Sequence, residues 1–172
     1  MESNATPYPA QARGFFDTEI RIARSYPHPR AKVWKALTEP RLVTAWLMRP
    51  ENFELRVGCK FKLRAKPVPG WRGWVDCEVL AVEEQRLLRY SWAGDDSGKV
   101  LVVTWRLSDE AGGTKLELVH SGFTGMGGFF LAKLMMGPGW KKMMTKHMSS
   151  VLDRLGADGS FVADAKRDKG CW

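Results

Sequence analysis

A chain of 172 residues with 44% hydrophobic content suffices for one domain with a substantial core and is too short to expect two. Lysine and arginine number 27 against 19 aspartate and glutamate, a formal charge of +8 that favours acidic partners in general and names none. Cys59, Cys77 and Cys171 form no CxxC pair, which argues against a disulfide framework or a four-cysteine metal site and fits a reducing compartment.

The amino terminus has no basic start followed by an apolar run, and no stretch approaches the roughly 18 apolar residues of a membrane span, so a cytoplasmic chain without signal or span is expected. Residues 1–16 and 157–172 are small, polar or charged, and read as flexible tails around a domain at 17–156. Ile20, Ile22 and Tyr26 alternate with polar positions, predicting a first strand that stops at Pro27 and Pro29. Arg24 falls on the apolar register of that strand, where it must pair with a carboxylate such as Asp76 or Glu78, reach solvent, or hold an anionic ligand group. Val33, Trp34 and Leu37, then Leu42, Val43, Trp46 and Leu47 after Pro40, recur at helical spacing and predict two short helices.

From residue 53 to 122 the period changes to two, broken by turn signals at Val57-Gly58, Pro67 to Gly70, Gly94 to Gly98 and Gly112-Gly113. About six strands follow, with Val79, Leu88, Tyr90, Trp92, Leu101, Val103, Trp105, Leu107, Leu116 and Leu118 on the inward parity. Gly137-Pro138 then reads as the start of a helix, and Trp140, Met143, Met144, His147, Met148, Val151, Leu152 and Leu155 follow at spacings of three and four. These residues cover about half of the helix circumference, more than a flat sheet requires. The fold class is therefore α+β, a curved antiparallel sheet of about seven strands wrapped around a long carboxy-terminal helix. The segment from Thr124 to Met136, rich in glycine, phenylalanine and methionine, reads as a lid.

This element order and several runs of sequence resemble the bacterial homologues of the activator of heat-shock-protein ATPase, within the SRPBCC superfamily of helix-grip proteins. The runs are Arg24 with Tyr26, Pro29 through Val33-Trp34, Ala36-Leu37-Thr38, Trp46, Tyr90-Ser91-Trp92, Val103-Thr104, His120-Ser121-Gly122-Phe123 and Gly139-Trp140. The likeness spans about residues 20–155 and implies a cavity between sheet and helix, without fixing a chemistry.

His120 shares the parity of Leu116 and Leu118 and should point inward, either as a satisfied neutral core histidine or as a ligand contact. His147 lies in the apolar arc of the last helix and carries the same two readings. Three histidines without HExxH spacing predict no metal site, and no cofactor is expected. The ridge Lys60, Lys62, Arg64, Lys66 with Arg72 reads as a solvated strand face rather than a nucleic-acid surface. The leading expectation is a carrier or sensor that binds an apolar or amphipathic small molecule through Arg24, Tyr90, Trp92, Trp105, His120, Phe123, Trp140, Met144, His147 and Met148. The alternatives are a cochaperone-like domain that docks on a heat-shock protein through the basic ridge, and a cofactor-independent cyclase with His120 or His147 as base. A homodimer is compatible with all three.

Overall fold

The computed structural model describes residues 17–164 and 166. The order is β1 (Thr18–Tyr26), α1 (Arg30–Thr38), α2 (Pro40–Trp46), β2 (Arg49–Glu51), β3 (Lys60–Arg64), β4 (Trp74–Glu83), β5 (Leu87–Trp92), β6 (Leu101–Glu110), β7 (Gly113–Phe123) and a long helix over residues 125–154. The seven strands form one antiparallel sheet in the order β1-β7-β6-β5-β4-β3-β2. The two short helices thus carry the chain from one edge strand to the other.

Period-two patterning becomes alternating burial on β3, β5, β7 and the first half of β4, whereas on β6 the four residues from Val102 to Trp105 are all buried. On β7, Thr114, Leu116, Leu118, His120 and Phe123 are buried while Lys115, Glu117 and Val119 are less so. Phe61 and Leu63 are buried on β3, Val75, Cys77 and Val79 on β4, and Leu88, Tyr90 and Trp92 on β5. The helix sets Trp140, Met143, Met144, Met148, Val151 and Leu152 into this face, each 0–1% exposed. The first of the six meander strands, β2, includes Pro50 opposite Leu63. Proline is tolerated there because β2 is an edge strand whose outer N–H positions face no partner.

The helix begins at Gly125, not at Gly137-Pro138, so residues 125–136 of the segment read as a lid are helical. The turn preceding the proline explains the misreading. Leu131–Met136 is π-helical and the Gly137 N–H bonds the Ala132 carbonyl, five residues back. Pro138, which has no N–H to offer, follows this wide turn inside the helix. A β-carbon at Gly137 would lie 2.9 Å from the Ala132 oxygen, so the close approach itself calls for glycine. A second π-helical segment covers Met143–Met148. Within it the Met144 carbonyl accepts the Tyr26 hydroxyl at 2.7 Å, tying the end of β1 to the middle of the helix.

Beyond the helix, residues 156–162 lie against the domain. Gly156 N–H bonds the Ser160 carbonyl at 2.8 Å, the Arg154 guanidinium stacks 4.9 Å from the Phe161 ring centroid, and Arg41 donates to the Gly159 carbonyl at 2.7 Å.

Candidate functional site

Alternate positions on β5, β6 and β7 bring Tyr90, Trp92, Trp105 and His120 to one face, Phe123 joins them past the irregularity at Gly122, and the helix lays Trp140 across them. The result is a continuous aromatic cluster. Trp140 sits edge-on to Trp92 and Trp105, each at 5.5 Å between ring centroids, and to His120 at 5.9 Å. His120 in turn meets Trp92 at 5.3 Å and Phe123 at 4.9 Å. Trp105 donates its indole N–H to the Tyr90 hydroxyl at 3.1 Å, and Tyr90 continues the cluster to Phe61 at 5.7 Å.

His120 is fully buried, and its Nδ1 accepts the Trp140 Nε1–H at 3.0 Å. An indole nitrogen only donates, so the neutral imidazole carries its proton on Nε2. That Nε2 is buried and has no hydrogen-bond partner among the described residues. Burial strips water from the imidazolium and pushes the His120 pKa down to about 3, so the ring is neutral at physiological pH. The backbone partner expected of a satisfied core histidine is therefore replaced by a tryptophan from the helix, and one polar atom stays unanswered. Burial likewise pushes the Tyr90 hydroxyl well above its usual range, so it too is neutral.

Met144 and Met148 are fully buried beside the cluster. His147 is half-buried, at the margin of the helix stripe. Arg24 does not join these residues as an inward guanidinium. It is exposed, although its register sets it beside the buried Leu116. β1 is an edge strand, and a long cationic side chain there turns its head to water at little cost. Asp76 is held instead by Lys62 and by Arg72, the latter at 2.7 Å, and the hydrogen bond from Lys62 is the main reason its carboxyl titrates below the usual range.

Sequence patterning missed Trp46 as a member of the site. Its helical spacing announced burial but not its neighbour, Trp105, at 5.8 Å. Trp46 also lines, with Leu37, Phe53, Phe61, Tyr90 and Trp105, an interior space of about 20 Å³. That is room for about one water, whereas a cavity binding benzene measures on the order of 150 Å³. The structure is closed around its aromatic core. A larger hollow of about 290 Å³ opens on the other face of the sheet, lined by polar groups including Lys60, Lys62, Asp76, Glu78 and Ser91. The basic ridge there is largely neutralised: besides Lys62 and Arg72, Arg64 pairs with Glu51 at 3.0 Å, and the Arg72 guanidinium stacks 4.8 Å from the Trp74 centroid. Among the described residues, no group of three or more histidine, cysteine, aspartate or glutamate side chains is placed to hold a metal ion, and no helix is long and apolar enough to cross a membrane.

Residues 27–153 match the sequence profile described as activator of Hsp90 ATPase homolog 1-like protein, which spans α1, the sheet from β2 and nearly all of the long helix. The chain belongs to that family. Its helix-grip architecture is that of the SRPBCC superfamily. Among solved structures, a Mesorhizobium loti protein is 32% identical over 81% of this chain and 99% of its own, with a TM-score of 0.68. CalU16 from Micromonospora echinospora is 31% identical, over 73% of this chain and 71% of its own, with a TM-score of 0.57. DynU16, from the dynemicin biosynthetic locus, is 26% identical with a TM-score of 0.68, and the likeness covers 80% of this chain but 48% of DynU16. No curated protein matches the chain.

Proposed function

We propose that the domain binds an apolar or aromatic small molecule between the sheet and the long helix, as a carrier or sensor, with a hydrogen-bond-accepting group of the ligand on His120 Nε2–H. The observation that carries this reading is the unanswered donor itself. A buried N–H without a partner costs roughly 1–3 kcal/mol, and a ligand carbonyl or ether oxygen would remove that cost. The surrounding tryptophan, tyrosine and methionine side chains supply the apolar walls typical of small-molecule sites. The likeness to DynU16, from a biosynthetic locus, is consistent with a small-molecule partner.

Admission requires the start of the long helix to move. Gly125–Phe130 contains no buried residue, and Leu131–Met136 contains only Ala132. Of these twelve helical residues only Ala132 is fully buried, with the partly buried Met136 packed beside it on the core, and this segment opens at lower free energy than the rest. His120 serves this scheme as a donor. Its one available lone pair is engaged by Trp140, which makes it a poor general base.

The test compares a naphthyl ketone whose emission depends on polarity with naphthalene itself. The wild-type protein is expected to bind the ketone about tenfold more tightly, the worth of one hydrogen bond to a buried donor. His120→Phe, which keeps a ring of similar size, should erase the difference while still binding both. Failure of the wild type to bind either compound would overturn the reading.

A further inference from the structure

The same helix segment presents an apolar surface outward. Met126 is 61% exposed, Phe130 55%, Leu134 71% and Met135 63%, and Leu131 is exposed beside them. Large side chains at such exposure on consecutive turns are unusual for a surface that stays in water. They come with charge of one sign. Between Gly122 and Leu152 the chain carries Lys133, Lys141, Lys142 and Lys146 and no aspartate or glutamate. Lys133, Lys141, Lys142 and Lys146 are all exposed, so their ammonium groups share the outward side of the helix with the apolar residues.

From this we infer that the first half of the long helix is a docking surface for an anionic lipid bilayer, on which the protein lies peripherally with Met126, Phe130, Leu131, Leu134 and Met135 inserted among the acyl chains. An apolar face bordered by lysines is the arrangement that partitions into the headgroup boundary, with cations on the lipid phosphates and apolar side chains below them. A protein partner would meet the same side chains, but an acid-free stretch of this length complements a surface of uniform negative charge better than a mixed one. In the basic ridge, Lys62, Arg64 and Arg72 are already paired, leaving fewer cations there for lipid phosphates. The inference stands apart from small-molecule binding, because it uses only residues on the outer side of the helix.

Flotation of the full-length protein with two vesicle types tests it: phosphatidylcholine alone, and phosphatidylcholine mixed with phosphatidylglycerol. The expected result is binding to the mixed vesicles only, weakened by added salt as screening shortens the reach of the lysines. The double variant Phe130→Ser with Leu134→Ser, and separately Lys141→Glu with Lys142→Glu, should each lower the partition coefficient about tenfold or more. Both pairs are exposed, so thermal unfolding should be unchanged and lost binding cannot be mistaken for lost fold. Equal binding to both vesicle types, or binding to neither, overturns the inference. So does a dimer in sedimentation that dissociates on Phe130→Ser with Leu134→Ser, which would make a second copy of the chain the occupant. Retention of naphthyl ketone binding by these variants would show that the two proposals fail or stand separately.

Discussion

The indole N–H of Trp140 donates to Nδ1 of His120 at 3.0 Å, joining the long helix to the last strand by a hydrogen bond inside the buried core. The contact fixes the tautomer of His120 and leaves its Nε2–H buried without a hydrogen-bond partner among the described residues. It also makes the position of the helix readable through a titratable group.

Stability should therefore depend on pH. His120 titrates near 3 when folded because burial disfavours its cation, against about 6.5 in an unfolded chain. Below about 6.5 the unfolded state binds a proton that the native state does not, so stability falls as pH falls, by up to about 1.4 kcal/mol per unit until pH approaches the folded value. Urea unfolding between about pH 7 and pH 5 should show this slope in the wild type and a shallower one in His120→Phe. Equal slopes would mean that other groups govern the dependence.

Replacing the donor should cost more than its size implies. Trp140→Phe removes the N–H and leaves Nδ1 buried without a partner, while opening space among Trp92, Trp105 and His120. The expected loss is about 2–4 kcal/mol, combining an unmade buried hydrogen bond with a small cavity. A denaturant midpoint within error of the wild type would show that the cluster repacks freely.

The two halves of the helix should exchange amide hydrogens at different rates. Residues 125–136 bury only Ala132 fully and pack Met136 partly against the core, whereas Met143, Met144, Met148, Val151 and Leu152 are all sealed in it. Hydrogen exchange followed by mass spectrometry should find the first segment exchanging through local opening and the second only near global unfolding. Uniform protection along the helix would deprive the interior of its proposed route of admission.

Both described cysteines should be inert in the folded protein. Cys59 and Cys77 are free and buried, and burial pushes the Cys77 thiol far above its usual range. A thiol reagent should label them only on unfolding. Rapid labelling of the native state would show that the β3–β4 end of the core is open. Cys171 lies outside the described residues.

A single added methyl should disturb the joint between β1 and the β6–β7 turn. A β-carbon at Gly113 would fall 2.0 Å from the Tyr26 carbonyl oxygen, inside contact with backbone that cannot step aside cheaply. Gly113→Ala should cost about 2 kcal/mol or more in thermal or urea unfolding. A neutral result would mean that β1 shifts along the sheet without loss.

Strand parity was legible in the sequence because one face of the sheet is wet: Leu116 and Leu118 place His120 inward, and Leu88 places Tyr90 and Trp92 with it. Proline and glycine chemistry was misleading at Pro138, where the residues that open a helix sit instead at a π-helical widening inside one. Arg24 obeyed its register but not its burial, since parity says which face a residue takes and not whether that face is covered at a sheet edge. The partner of His120 was out of reach for a further reason. Helical spacing marks Trp140 as buried, but which strand residue its N–H meets depends on how far the helix is shifted along the sheet, a translation no periodicity records.

The pairing of β1 with β7 joins the first strand of the domain to the last, and Tyr26 reaches past it to Met144, 118 residues away in sequence. During synthesis β1 must wait, unpaired, until β7 and much of the helix have left the ribosome, because both of its partners are made last. The meander from β2 to β7 consists of sequence neighbours and can assemble in order, but its β7 edge stays open until β1 arrives. The interval between those two events is when this chain most needs protection from its own exposed backbone.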